Sequence, residues 1–313
     1  MVDMSRDLFR TIETVQEAFA ARNYIADRAL ALTVMLGAEL EKPIFLEGEA
    51  GVGKTDVAKV LAGAFDTPLI RLQCYEGLDA GTTIYEWNYS RQILQIRMAE
   101  QDAALKSALQ ESIFSDEFLL SRPLLQAIRH PGPRPAVLLI DEIDRADEEF
   151  EAFLLEMLSD FQVTVPEIGT LKAVQRPLVV LTSNRTRELN DALKRRCLYL
   201  WIDYPTAAKE REIVMRHVPA IEETLAEQIC EVMQTLRRVD FYKRPGIAET
   251  LDWARALLRL DARMLGPDLL RDTAGCVLKY HDDIERLNEI GAERVLAGEA
   301  GDESAAEGAA EQI

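Results

Sequence analysis

The sequence predicts an α/β fold in which a parallel sheet is followed by a smaller helical domain. Three observations support this prediction. Short, nearly continuous apolar segments alternate with helical patterns through the first 205 residues, as is typical of parallel strands buried on both faces. A glycine-rich turn joins the first of these segments to an amphipathic helix. After Pro205 the strand-like segments stop, and the chain is helix-like to about residue 290.

The 313 residues therefore divide into three predicted parts. Residues 1–205 form the α/β core with its N-terminal helices, and residues 206–290 form the helical domain. Residues 291–313 carry many acids and few large apolar side chains, so their composition predicts a disordered acidic tail.

The elements are predicted in order from apolar periodicity. Helical periodicity covers about residues 5–40, and five apolar strands follow at 43–48, 68–74, 136–142, 177–184 and 197–204. Helices are expected at 54–65 and 148–160. Breaks near Pro219, Pro245–Gly246 and Gly266–Pro267 divide the helical domain.

Two connections are longer than the alternation of strands and helices requires. Residues 75–97 follow the second strand and are long for a plain connection. Residues 161–176 alternate apolar and polar side chains around a turn at 166–169. This alternation predicts a β-hairpin.

The charge of the chain argues against general nucleic-acid binding. The formal net charge is -18 and the pI is about 4.7, so the average surface repels phosphate backbones. The sequence also lacks a sustained run of Lys and Arg.

Cysteine and histidine spacing gives little support for a metal centre built from these residues. Cys74, Cys197, Cys230 and Cys276 are far apart, and none forms a CxxC pair. We expect them to be buried free thiols in a reducing compartment. The three histidines, His130, His217 and His281, are isolated from one another.

The N-terminal residues are polar and amphipathic, without the apolar core of a secretion signal. No apolar run is long enough to span a bilayer. We therefore expect a cytoplasmic protein without a membrane span, and peripheral membrane association stays open.

The turn at residues 48–55 fits the phosphate-binding pattern GxxxxGK[ST]. Its glycines allow backbone N–H groups to turn towards phosphate oxygens, and the positive end of the following helix dipole favours the same anion. Lys54 supplies a cation for the β- and γ-phosphates, and the Thr55 hydroxyl can bind Mg²⁺. The predicted ATP-binding residues are Gly48, Glu49, Ala50, Gly51, Val52, Gly53, Lys54 and Thr55. The alternative is a chance match in a glycine-rich turn.

Two acids end the strand at 136–142. Ligands of such sheets bind at the carboxyl ends of the strands, so Asp141 is expected to hold Mg²⁺ and Glu142 to activate the attacking water. The alternative is that the two acids form a solvated strand end without a catalytic role. Together with the phosphate-binding turn, the pair predicts hydrolysis of ATP.

At this point the chain resembles an AAA+ P-loop ATPase. Asn184, which ends PLVVLTSN, matches the polar residue called sensor 1. The family places an arginine finger near Arg195 and Arg196, with Arg196 the closer match, and Arg244 matches sensor 2. The alternatives are a turn-forming Asn, a basic helix C-terminus and a surface arginine.

The segments at 75–97 and 161–176 resemble the branch with an insert in the second helix and a hairpin before sensor 1. Four segments resemble the MoxR group, in particular the accessory ATPase of carbon monoxide dehydrogenase maturation. They are LIRLQCYEGLD, YEWNYSRQIL, DEIDRADEEFEAFLLEMLSDFQV and RPGIAETLDWA. Four aromatic residues of the insert either grip a client protein or pack the insert onto the sheet: Tyr75, Tyr85, Trp87 and Tyr89.

The resemblance implies a homo-oligomer, expected to be a hexameric ring, that uses ATP and Mg²⁺ to remodel another protein. It implies a partner with a von Willebrand factor A domain. It also implies a client metalloenzyme, such as a molybdenum-containing carbon monoxide dehydrogenase. The alternatives are a DNA-associated loader or helicase, a small-molecule kinase and a nucleotide-gated binding module.

Overall fold

The computed structural model describes residues 9–99 and 113–299. These residues divide into two compact units. The α/β unit contains the residues up to 22, 26–48 and 54–201, and the helical unit contains 23–25, 49–53 and the residues from 202 onwards.

The strands and helices are numbered here in chain order. The strands are β1 (Ile44–Gly48), β2 (Leu69–Gln73), β3 (Tyr85–Trp87), β4 (Leu119–Ser121), β5 (Val137–Asp141), β6 (Gln162–Val165), β7 (Gly169–Lys172), β8 (Leu178–Ser183) and β9 (Leu198–Ile202). The helices of the α/β unit are α1 (Ile12–Ala20), α2 (Arg28–Glu39), α3 (Lys54–Phe65), α4 (Ala80–Ile84), α5 (Tyr89–Ala99), α6 (Pro123–Arg129), α7 (Glu148–Asp160) and α8 (Asp191–Arg196). Those of the helical unit are α9 (Ala207–His217), α10 (Glu223–Leu236), α11 (Ile247–Arg259), α12 (Pro267–Val277), α13 (His281–Ile290) and α14 (Ala292–Leu296).

The predicted five-stranded parallel sheet is confirmed. Its order is β2-β5-β8-β1-β9, and the pairs β2–β5, β5–β8 and β1–β8 are parallel. Every residue of β1, β5 and β8 is buried, as continuous apolar strands in the middle of a covered sheet require. This arrangement places the ends of β1, β5 and β8 side by side.

The stretch of predicted helical periodicity over residues 5–40 contains a break. The described part forms two helices, α1 and α2, and Asn23 between them has a φ of 59°. The Asp27 side chain accepts a hydrogen bond from the Leu30 N–H at 2.8 Å and starts the second helix. The apolar periodicity of two adjacent helices hides this break. Residues 5–8 lie outside the described residues.

The insert at 75–97 is more regular than the sequence indicated. Helix α4 leads into β3, which pairs antiparallel with β4, with Trp87 opposite Leu119. Trp87 is 6% exposed and belongs to the core, Tyr85 is half-buried, and Tyr75 and Tyr89 are 54% and 61% exposed. The aromatic side chains therefore separate into a packing pair and an exposed pair.

The predicted hairpin before residue 177 is also confirmed. Strands β6 and β7 pair antiparallel, with Val165 opposite Gly169. Val163 and Val165 are buried and Thr164 is exposed, which is the alternation expected of a half-buried strand.

The helical unit has its own core around Trp253, which is fully buried and whose Nε1 donates to Thr273 Oγ1 at 2.8 Å. Helix α14 lies in the range 291–313 that composition assigned to the acidic tail. It forms because Ala292 and Val295 are buried in this core. Residues 300–313 of that range lie outside the described residues. None of the described helices is long and apolar enough to cross a membrane.

A buried ion pair connects several helices of the helical unit. Arg237, the residue directly after α10, donates to both carboxylate oxygens of Glu210 on α9 at 2.6 Å, and their side chains are 6% and 0% exposed. Thr250 on α11 also donates to this carboxylate at 2.6 Å, and Arg237 Nε donates to the Pro245 carbonyl at 2.9 Å. The pair therefore holds three helices and the chain segment that follows Arg244.

We expect Arg237→Met to destabilise the helical unit by about 3–5 kcal/mol, because Glu210 is left as a buried carboxylate without its cation. Unfolding can be followed by Trp253 fluorescence in a chain whose Trp87 and Trp201 are replaced by Phe. The control is Arg255→Met, since Arg255 and Asp252 form an ion pair with side chains 52% and 70% exposed. Its loss is expected to cost less than about 1 kcal/mol. Equal effects of the two substitutions would contradict the assignment of the Arg237 pair as a structural centre.

Candidate functional site

The turn between β1 and α3 has the backbone that phosphate binding requires. Gly51 and Gly53 have φ values of 78° and 93°, a left-handed conformation that glycine adopts without strain. Lys54 begins α3, is 6% exposed, and its Nζ donates to the Gly48 carbonyl at 2.7 Å. A cation and the amino end of a helix therefore lie at one turn.

Asp141 ends β5, contacts Thr55 in the first turn of α3 and is 2% exposed. Its Oδ1 accepts from Thr55 Oγ1 at 3.0 Å and from Thr182 Oγ1 at 2.5 Å. Its Oδ2 accepts from Arg71 Nε at 3.0 Å. A buried carboxylate next to the Thr55 hydroxyl fits Mg²⁺, which is bound by one or two protein oxygens together with water and phosphate oxygens. When bound, the ion would supply positive charge to the phosphate groups.

Glu142 follows directly and is half-buried, with a φ of 55°. This left-handed backbone costs roughly 1 kcal/mol for a residue with a Cβ, and it is held by the Glu142 N–H, which donates to Thr182 Oγ1 at 3.0 Å. The Glu142 Oε2 accepts from Gln73 Nε2 at 3.0 Å and from Arg145 Nε at 2.9 Å. Its Oε1 lies 3.5 Å from Asn184 Nδ2, so this oxygen is the less strongly hydrogen-bonded of the two.

Asn184 lies just beyond the end of β8, and Asp144 positions its backbone. The Asp144 Oδ2 accepts from the N–H groups of Asn184 at 3.2 Å and Thr186 at 2.9 Å, and from Thr186 Oγ1 at 2.7 Å. Asp144 is 3% exposed. Its carboxylate therefore fixes the turn that carries the Asn184 side chain towards Glu142.

The sheet thus brings together the predicted residues Thr55, Asp141, Glu142 and Asn184. Sequence reasoning missed four of their supporting residues: Arg71, Gln73, Asp144 and Thr182. A signal existed for two of them. Arg71 and Gln73 are polar residues at alternate positions of an otherwise apolar strand, so they share one face, and the register places Gln73 opposite Asp141.

Arg195 and Arg196 differ in their contacts at the end of α8. The Arg196 guanidinium donates to the Leu155 carbonyl and the Ser159 hydroxyl on α7. Arg195 is exposed. Arg196 thus contacts α7 of its own chain, and the choice between the two arginines as the finger stays a prediction.

Arg244 lies in the helical unit with residues 49–53 of the phosphate-binding turn. The Ile247 N–H donates to the Gly51 carbonyl at 2.9 Å, and a Cβ on Gly246 would lie 2.8 Å from the same oxygen. Only glycine therefore allows this approach. The residues of this unit line a cavity of about 240 Å³: Glu49, Ala50, Tyr204, Phe241, Tyr242, Lys243 and Arg244. Burial raises the pKa of Tyr204 in this lining to about 12, so its hydroxyl is neutral.

One family model and several proteins are similar to this chain. Residues 43–197 match the family model of the AAA domain (dynein-related subfamily). An uncharacterized protein of Staphylococcus haemolyticus is 29% identical over 228 residues, which cover 71% of this chain and 77% of the relative. An uncharacterized protein of Staphylococcus aureus is 28% identical over 229 residues, which cover 71% of this chain and 78% of the relative.

Two solved structures are similar to this chain at low sequence identity and with TM-scores below 0.5. The Holliday junction branch migration motor RuvB of Thermotoga maritima has a TM-score of 0.43 at 17% identity, covering 86% of this chain and 68% of that chain. A structure from Cytophaga hutchinsonii, described as a candidate ATPase, has a TM-score of 0.48 at 16% identity, covering 94% of each chain.

The matched segment, 43–197, contains the phosphate-binding turn, both acids and Asn184. AAA+ domains bind ATP, with Mg²⁺ as the usual cofactor, and the Thr55–Asp141 contact fits this ion. Residues 43–197, just under half of the chain, are therefore similar to the AAA domain (dynein-related subfamily).

Proposed function

We propose that this protein hydrolyses ATP in a Mg²⁺-dependent reaction and uses the energy to remodel another protein. The observation that carries the hydrolytic part is the meeting of two carboxylates with different surroundings at one sheet edge. Asp141 is buried and accepts hydrogen bonds on both oxygens, whereas Glu142 is half-buried with one lightly engaged oxygen. The first suits a metal ligand and the second a general base.

Each remaining residue then has a role. Lys54 and the amides of the turn bind phosphate oxygens, and Thr55 and Asp141 hold Mg²⁺. Asn184 orients the water that Glu142 activates. Arg244, which belongs to the same unit as residues 49–53 of the turn, contributes to phosphate binding. Arg195 or Arg196 serves the site of a neighbouring subunit in a hexameric ring.

Asp144→Ala is expected to lower kcat by about 10²-fold while the affinity for ATP changes little, because the turn that carries Asn184 loses its anchor. Phosphate release and binding of a fluorescent ATP analogue would be measured together. The matched control is Asp147→Ala, since Asp147 accepts from the Phe150 N–H at 2.8 Å and caps α7. A normal kcat in the Asp144→Ala protein would contradict the positioning role.

We further propose a remodeller of the MoxR type, working with a von Willebrand factor A domain protein on a metalloenzyme such as carbon monoxide dehydrogenase. Support comes from the insert. Helix α5 exposes a set of large apolar side chains: Tyr89, Ile93, Leu94, Ile96 and Met98. Exposed apolar side chains in one segment are typical of a protein-binding surface. The net charge of -18 argues against a DNA substrate.

The test of this role is Ile93→Glu together with Leu94→Glu, whose native side chains are 52% and 58% exposed. Deletion of residues 81–88 would test this surface less well than the double substitution, because it also removes the buried core residue Trp87. Basal ATP hydrolysis should survive, while the client enzyme accumulates folded with an incomplete metal centre. The control is Leu40→Glu, since Leu40 is 54% exposed on another part of the α/β unit. Normal maturation of the client in cells carrying the double variant would exclude this surface, and stimulation of ATP hydrolysis by DNA would favour a DNA-associated function.

A further inference from the structure

Arg71 forms an ion pair with Asp141, the carboxylate that the proposed function assigns to Mg²⁺. Its Nε and Nη2 donate to Asp141 Oδ2 at 3.0 and 2.6 Å, a fork in which both bonds end on one oxygen. The Asp141 side chain is 3% exposed, and the Arg71 side chain is 52% exposed. A buried anion is thus paired with a cation that extends to solvent.

The two oxygens of Asp141 have different partners. Its Oδ1 accepts from Thr55 and Thr182, both neutral hydroxyls. Its Oδ2 carries the ion pair with Arg71. A divalent cation bound by this carboxylate would meet the guanidinium as a like charge, and at such short range this repulsion is large even with a high effective dielectric constant.

Arg71 also has a second partner that would keep it nearby. Its Nη2 donates to Gln73 Oε1, two residues along the same strand. Because about half of its side chain is exposed, the guanidinium can leave Asp141 without opening the core. Neither the sheet nor the hydrogen bonds of Asp141 Oδ1 need to change.

We propose that Arg71 is the counter-ion of Asp141 in the metal-free site and exchanges with Mg²⁺ when the metal–nucleotide complex binds. This inference rests on the proposed role of Asp141 as a metal ligand. Without metal, Arg71 neutralises Asp141 and lowers its repulsion of the ATP phosphates. With metal, Arg71 competes for the same carboxylate. Arg71 therefore makes ATP binding less dependent on Mg²⁺ than the acidic site alone would be.

The test uses the full chain with Arg71→Gln and a fluorescent ATP analogue, titrated with Mg²⁺ and in EDTA. We expect affinity in EDTA to fall about tenfold, the size expected for an unneutralised charge near the phosphates. Affinity with Mg²⁺ should stay within about twofold, because the metal then neutralises Asp141. Direct binding of Mn²⁺ to the protein–nucleotide complex, followed by electron paramagnetic resonance, should become tighter. Arg71→Lys keeps the charge and should restore most of the affinity in EDTA.

Arg176→Gln is the control for loss of a half-exposed arginine, since Arg176 pairs with Glu41 at 3.0 Å and its side chain is 50% exposed. Equal loss of affinity in Mg²⁺ and EDTA would overturn the proposal and make Arg71 a structural residue. Unchanged affinity in both would overturn it as well. If the wild-type protein binds neither the ATP analogue nor Mn²⁺, the proposed function itself fails. If the wild-type protein binds the ATP analogue and the Arg71→Gln protein binds it with the same dependence on Mg²⁺, only the inference about Arg71 is wrong.

Discussion

Glu142→Gln is expected to bind ATP and Mg²⁺ like the wild type and to hydrolyse ATP about 10²–10⁴-fold more slowly, the usual contribution of a general base. The amide has nearly the shape of the carboxylate, so its oxygen can still accept from Gln73 or Arg145. It cannot take a proton from water. Asp141, Thr55 and Lys54 are unchanged, so the binding site for the phosphates and the metal remains.

Phosphate release and binding of a fluorescent ATP analogue measure the two effects separately. The control is Glu149→Gln, since Glu149 is an exposed acid in the first turn of α7. Its substitution changes the net charge equally and should leave both quantities unaltered. If the Glu142→Gln protein hydrolyses ATP at the wild-type rate, Glu142 does not activate the water.

The second large effect is expected from the arginines at the end of α8. Loss of the finger should reduce hydrolysis by about 10³-fold or more, judged from other phosphoryl-transfer sites. A Glu142→Gln subunit has an intact arginine finger but an inactive hydrolytic site. A subunit that lacks the finger arginine has an intact hydrolytic site but cannot complete the site of its neighbour. Mixing the two inactive proteins should restore partial activity, because some interfaces then contain both functional elements.

Arg195→Ala and Arg196→Ala should be mixed separately with Glu142→Gln. The variant that is inactive alone and rescued by mixing identifies the finger. Arg196→Ala also removes the contacts to Leu155 and Ser159, so its thermal unfolding must be compared with that of Arg195→Ala. Absence of rescue for both, in assemblies shown to be mixed, would contradict a finger that acts between subunits.

The sequence by itself determined the five strands of the parallel sheet, the phosphate-binding turn and the two acids. Each of these depends on residues close together in the chain. Five apolar segments predicted the five strands of the sheet, because a strand buried on both faces must be apolar at nearly every position. The turn at 48–55 was predictable because its glycines and Lys54 are consecutive.

Only the tertiary structure decided what surrounds these residues. Arg71 and Asp141 are 70 positions apart, and Asp144 and Asn184 are 40 apart, so local periodicity carries no information about their contacts. The same holds for β3 and β4 and for the buried pair of Glu210 and Arg237, which are separated by 27 positions. Hydrogen bonds and ion pairs form wherever the packed backbone brings their atoms within about 3 Å, and that proximity is set by strand order and helix packing.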